Sequence, residues 1–194
     1  MARLKLRSVP FRRKRTQKTH YPKRISMLIS GIPRVVVRFT NQKIIAQIIE
    51  YHRIGDKVIV AVDSFALRAV GWPYSAKNFP AAYLTGLLLG RKAIAKGCSK
   101  AILDTGFKVS LKKGKTYAVL KGLLDGGLDV PHGEAEIFPT PERIRGDHIK
   151  AYAQKLGKTS GTQFSKYTAT KVDPGVVTSI FDQVKEKIKH MTIP

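Results

Sequence analysis

From Ile32 the chain alternates with period two. Val35, Val37 and Phe39 interleave with Arg34, Val36, Arg38 and Thr40, the pattern of a strand with one apolar and one partly basic face. Asn41 and Gln42 suit a turn, and Ile44 to Tyr51 is a second β-rich run. Gly55 and Asp56 mark a turn within His52 to Lys57, after which Val58 to Val62 forms a third run. Three short strands joined so closely predict an antiparallel meander.

The period then lengthens. Asn78 as N-cap and Pro80 in the first turn open a long helix that closes near Gly97, with Tyr83, Leu84, Leu87, Leu88 and Ile94 on its expected buried side. Gly86 and Gly90, four apart, remove two side chains from one face; tight helix-on-sheet packing is the expected reason and a ligand cradle the other reading. Ala101 to Asp104 is a fourth strand, so a strand, helix, strand unit follows the meander. Tyr117 to Asp125 forms a second helix closed by Gly126 and Gly127.

Beyond Pro131 the pattern is less regular. Pro139 and Pro141 introduce a helical stretch from Arg143 towards Leu156, across Gly146. Gly157 to Lys171, rich in Gly, Ser, Thr and Lys, reads as a linker or surface loop. Asp173 and Pro174 open a terminal helix that puts Val177, Ile180, Phe181, Val184, Ile188 and Met191 on one stripe. That stripe must dock, on this chain by default or else on a partner protein. The fold class is therefore α/β: an antiparallel meander followed by a strand-helix-strand unit, in a mixed sheet with helices packed on it. The expected divisions are a basic arm over 1–24, an α/β core over 25–135 and a C-terminal helical extension over 136–194.

Charge changes this picture. The first acidic residue is Glu50, and thirteen lysines and arginines precede it, ten of them within the first twenty-four positions of a 194-residue chain of net charge +23. Blocks of like charge repel themselves unless polyanion surrounds them, and an N-terminal basic arm is a common nucleic-acid-binding form. Residues 1–24 hold Pro10, Pro22, Phe11 and Tyr21 but no periodic apolar face, so the arm is expected to be ordered only by its partner. Phosphate neutralised by such an arm releases counterions, which makes binding strong and salt-dependent. Within 157–171, Lys158, Lys166 and Lys171 occur with Phe164 and Tyr167 and without an acid, a second candidate RNA contact.

Other chemistry is sparse. Cys98 is the only cysteine, which allows no disulfide within the chain and favours a reducing, intracellular compartment. The N-terminus lacks a signal-type apolar run, and Ala81 to Leu89 is too short to span a bilayer, so neither membrane nor small-molecule substrate is expected. The five histidines show no paired-ligand spacing, no nucleotide or hydrolase motif is present, and no cofactor is expected. One catalytic alternative remains: Asp63 and Asp104, near predicted strand ends, with Asp125 in reserve, could hold Mg²⁺ for phosphodiester cleavage by an RNA nuclease. Turn and cap chemistry explains the same carboxylates.

The run Asn78-Phe79-Pro80-Ala81-Ala82-Tyr83-Leu84-Thr85-Gly86-Leu87-Leu88-Leu89-Gly90 resembles the helix segment of the archaeal ribosomal protein L-eighteen family. Val9 to Arg15, Ser30-Gly31 with Pro33-Arg34 and Arg38, Ala46-Gln47, Gly71-Trp72, Asp125 to His132, Arg145-Gly146 and His148-Ile149 resemble it in the same order, as far as about Tyr152. Gly126 stands where the family pattern has Ala, a change expected to loosen that helix end. The resemblance implies a non-enzymatic, cytoplasmic ribosomal protein that binds 5S RNA and attaches it to large-subunit RNA in the central protuberance, beside other large-subunit proteins.

On that reading Arg3, Lys5, Arg7, Arg12, Arg13, Lys14, Arg15, Lys18 and Arg24 of the arm are expected to meet RNA, largely at phosphates. Phe11 and Tyr21 stack on unpaired bases or pack at the arm's root. Arg34 and Arg38 share strand parity and so one sheet face, with Lys43 at the adjoining turn. Asn41 and Gln47 are expected to reach ribose hydroxyls or base edges, although Gln47 equally suits a plain outward polar position.

Overall fold

A computed structural model describes residues 9–107, 109–156 and 163–191. Its sheet forms as the alternation requires. Strands β1 (Arg34–Phe39), β2 (Ile44–Glu50) and β3 (Lys57–Asp63) make the antiparallel meander, with Val36 opposite Gln47 and Gln47 opposite Ala61. Strand β4 (Ile102–Asp104) pairs parallel to β1, giving a mixed sheet of order β3-β2-β1-β4. Val35, Val37, Ala46, Ile48, Val60 and Val62 point to the buried side. Arg34, Val36 and Arg38 lie on the other side, which the helical layer leaves open to a cleft.

Before the sheet come two helices that periodicity did not indicate: α1 (Arg12–Arg15) and α2 (Tyr21–Ile29). From Val9 onward the arm thus has structure of its own, and the boundary expected at residue 24 falls inside α2. Its start is set locally: His20 Nδ1 accepts from the Lys23 amide at 3.2 Å, and Pro22 occupies the first turn. The short helix α3 (Leu67–Val70) ends at Gly71 in the left-handed region, φ 101°.

The core helix α4 (Phe79–Ala95) begins as expected, Asn78 Oδ1 accepting from the Ala81 amide at 2.8 Å. It is buried on almost every side because the sheet, α5 (Lys115–Asp125) and the C-terminal helices surround it. Two expectations are corrected here. Ile94 is 43% exposed, since it lies in the last turn of α4, beyond the point where α5 stops. The glycines serve helix-on-helix packing rather than helix-on-sheet packing: a Cβ on Gly86 would run into the Val119 carbonyl, and one on Gly90 would stand 2.8 Å from the Leu123 oxygen. Gly122 and Gly126 answer them from α5, so α4 and α5 pack parallel with backbones nearly touching. Gly126 therefore tightens this interface, its absent Cβ leaving room for Leu87 O at 3.0 Å, rather than loosening a helix end.

After α5 the chain makes a short 3₁₀ turn (Ala135–Ile137), α6 (Pro141–Arg145) and α7 (Asp147–Leu156). The single helix expected over 143–156 is broken because Gly146 takes φ 94°. Within the stretch expected to be linker, α8 (Ser165–Ala169) forms. A 3₁₀ turn (Pro174–Val176) then leads into α9 (Val177–His190), whose Val177, Phe181, Val184 and Ile188 are buried. The stripe docks on this chain: the rings of Phe181 and Tyr83 lie 5.6 Å apart. Met191 ends outside the packed face, 42% exposed.

Candidate nucleic-acid interface

The open face of the sheet, α1 and α2 enclose a cleft of about 580 Å³. Arg13, Lys18, His20, Lys23 and Arg38 line it, with Phe107 at its edge. The arm is held there by a chain of ion pairs. Arg24 Nη2 donates to both carboxylate oxygens of Asp56 at 2.8 Å; Arg34 Nη2 donates to Asp56 at 2.8 Å and its Nη1 to Asp104 at 2.7 Å. Lys23 Nζ adds a bond to Thr105 Oγ1 at 3.0 Å, and the rings of His20 and Phe107 lie 5.3 Å apart. A turn acid, Asp56, thus joins α2 to the sheet.

This arrangement separates the expected contact residues into groups. Arg3, Lys5 and Arg7 lie outside the described residues. Arg12, Arg13, Lys14, Arg15 and Lys18 are exposed, and no carboxylate among the described residues pairs with any of them. Arg13 donates from Nε to Thr19 Oγ1 at 2.8 Å, which sets its direction without neutralising it. Phe11 and Tyr21 pack on each other at 5.3 Å, the arm-root alternative, although Phe11 stays 72% exposed.

The sheet residues divide similarly. Arg34 shares the face of Arg38 but is only 3% exposed and carries two carboxylates, so it braces the cleft and has no free charge to offer a phosphate. Arg24 is likewise tied to Asp56. Arg38 and Asn41 are exposed, and Gln47 is half-buried on the same face. Lys43 donates to Asp63 at 2.7 Å and lies 5.3 Å from the Phe65 ring, where Arg68 also sits at 4.6 Å. The Lys43 bond holds the Asp63 carboxyl below its usual range, against burial, which acts the other way.

Lys23 and His20 are missed by the sequence reading of contacts. Lys23 lay within the basic run and could have been included from charge alone; the cap that makes His20 face the cleft has no sequence signal beyond Pro22.

The second candidate segment is partly outside the described residues, including Lys158; Lys171 is exposed. Its aromatics are used in packing. Phe164 stacks on Tyr167 at 5.7 Å, and the Tyr167 hydroxyl accepts from the Ser75 amide at 3.1 Å.

The carboxylates proposed for a nuclease do not meet. Asp63 is on β3 and Asp104 on β4, the opposite edges of the sheet. Three strand spacings put them roughly 14 Å apart, whereas a two-metal site needs carboxylates around metals about 4 Å apart. Asp63 is occupied by Lys43 and Asp104 by Arg34, while Asp125 accepts from the Tyr83 hydroxyl at 2.7 Å. Among the described residues no group of three or more His, Cys, Asp or Glu is placed to hold a metal, and no helix is long and apolar enough to cross a membrane.

Residues 5–99 match the family described as ribosomal large subunit proteins 60S L5 and 50S L18. The large ribosomal subunit protein uL18 of Korarchaeum cryptofilum (strain OPF8) is 47% identical over 194 residues, covering 99% of each chain. Identity of that extent, running through arm, sheet and C-terminal helices alike, means that this chain belongs to the 60S L5 and 50S L18 family of large-subunit ribosomal proteins.

Proposed function

We propose that this protein binds 5S ribosomal RNA through α1, α2 and the open sheet face, and attaches it to large-subunit RNA in the central protuberance beside neighbouring large-subunit proteins. As a member of its family it is a structural protein of the ribosome in the cytoplasm and not an enzyme. The observation that carries the reading is the cleft itself. Arg13, Lys18 and Arg38 line one concave surface, with Arg12, Lys14 and Arg15 beside Arg13 in α1, and no carboxylate among the described residues pairs with any of them, while Asp56 and Asp104 brace the scaffold. Such a surface binds phosphate through counterion release, and its fixed shape selects among folded RNAs. Exposed Phe11, just before α1, and Phe107, which lines the cleft, are available to unstacked bases.

The test is a competition titration of the full chain with 5S RNA against transfer RNA at matched salt. Preference for 5S RNA is expected, and it should collapse when Arg13, Arg15 and Lys18 are replaced by Gln. Equal affinity for the two RNAs would defeat the proposal.

A further inference from the structure

On the far side of the sheet from the cleft, two cations and a histidine from three elements gather about one aromatic ring. Arg143 of α6 lies over Phe79 with its guanidinium carbon 4.7 Å from the ring centre, and Lys115 Nζ at the start of α5 is 5.8 Å from it. His148 of α7 meets the same ring edge-on at 6.0 Å and 88°. Lys77, just before α4, completes the group because parallel packing of α4 and α5 brings both N-terminal ends to one end of the helical layer. Neither helix has an acid in its first turn, and no carboxylate among the described residues pairs with Lys77, Lys115 or Arg143. Glu142 and Asp147 are the nearby acids, and neither bonds to the three cations.

Like charges held this close repel one another. Burial first, and then the charges of Lys77 and Arg143, hold Lys115 below the usual lysine range. Exposed Lys112 and Lys113 stand three and two residues before Lys115 in the chain. A single carboxylate would answer only one cation, whereas a sugar-phosphate backbone presents anions at regular spacing along a basic strip. Arg143 stacked on a ring also keeps its planar fork suited to bidentate phosphate contact.

We propose that Lys115 and Arg143, stacked on Phe79, and Lys77 beside them form a second RNA-backbone site that grips a different RNA segment from the one held in the cleft. This rests on the reading that the cleft holds 5S RNA, and it names the surface that takes large-subunit RNA. Since the sheet stands between the two sites, the protein acts as a two-sided bridge.

The test uses the full chain, 5S RNA and a protein-free transcript of large-subunit ribosomal RNA. The Lys115→Gln, Arg143→Gln double variant is expected to bind 5S RNA as the wild type does. Its preformed 5S complex should capture the transcript about tenfold or more weakly, with the salt slope flatter by about 0.7 to 0.9 for each cation removed. The charge-conserving Lys115→Arg, Arg143→Lys variant should recover most of that capture, and equal thermal midpoints would show that folding is intact.

Unchanged transcript capture overturns the proposal, and so does a parallel loss of 5S binding. Loss of binding to an acidic ribosomal protein, with RNA capture untouched, would assign the strip to a protein partner instead. If the wild type fails to prefer 5S RNA, the cleft reading is what fails; titrating the transcript directly into free wild type and double variant still decides the second site.

Discussion

Arg34 and Asp104, seventy residues apart in sequence, meet across the parallel β1–β4 pairing, where Nη1 donates to Oδ2 at 2.7 Å with both residues buried. The same guanidinium reaches Asp56, so one side chain unites β1, β4, the β2–β3 turn and, through Arg24, helix α2. Removing one member of a buried pair leaves the other charged and unpaired, at about 3 to 5 kcal/mol. Arg34→Ala or Asp104→Asn is therefore expected to lower stability by that order in denaturant unfolding. RNA binding should then fall only as far as the folded fraction does. A fully folded Arg34→Ala variant with a flattened salt slope would instead make Arg34 a direct phosphate contact.

The glycine faces of α4 and α5 make a ranked prediction. Gly86→Ala and Gly122→Ala each drive a Cβ into backbone of the facing helix, so each is expected to cost about 3 kcal/mol or more. Gly126→Ala meets backbone at 3.0 to 3.2 Å and should cost less. Thermal midpoints of the three variants check the order.

Truncation separates docking from binding. Deleting residues 1–19 keeps the His20 cap and the Arg24–Asp56 pair, so the thermal midpoint should hold while 5S RNA affinity drops sharply. Deleting 1–24 also removes Arg24 and cuts into α2, so here the midpoint should fall. Undiminished 5S affinity after the shorter deletion would contradict a role for α1.

Single neutralisations in the arm have a salt signature. Arg15→Gln, Lys18→Gln and Arg38→Gln are each expected to flatten the plot of log affinity against log salt by about 0.7 to 0.9. Arg24→Gln should not, because Asp56 already occupies that charge. Fluorescence titrations between low and moderate salt distinguish these cases.

His148 should make stability pH-dependent. Burial first, then Arg143 and Lys115, hold its pKa below the ordinary 6.5, with Asp147 opposing. The folded state thus prefers the neutral ring, and the unfolded chain binds the proton more tightly. This contribution is complete above about pH 6.5 and is lost as pH falls towards the lowered folded value. The drop in thermal midpoint from pH 8 to pH 5 should accordingly be smaller in His148→Gln than in the wild type.

Sequence reading reached the parts governed by local pattern. Strand alternation placed β1 to β3, and the Asn78 cap with Pro80 placed the start of α4 at its observed residue. It missed α1, a single turn made only of Arg and Lys, and α2, whose amphipathic pattern starts inside the stretch read as a basic arm. It expected Arg24, from the charge of the arm, and Arg34, from strand parity, to meet RNA, and neither charge nor spacing shows that Asp56 waits there from another element.

The sequence by itself determined the order of most elements, the cationic character of the partner-facing surface and, through the Asn78 to Gly90 run, the family. The first two follow from periodicity, charge and local capping, which act over a few residues, and the family from the resemblance that run carries. Only the tertiary structure decided that Asp56 and Asp104 neutralise Arg24 and Arg34, that Gly86 and Gly90 meet α5, and that Lys115 and Arg143 meet over Phe79. Each of these joins residues from different elements, and chain closure over such distances is set by the packing of the whole core rather than by any local pattern.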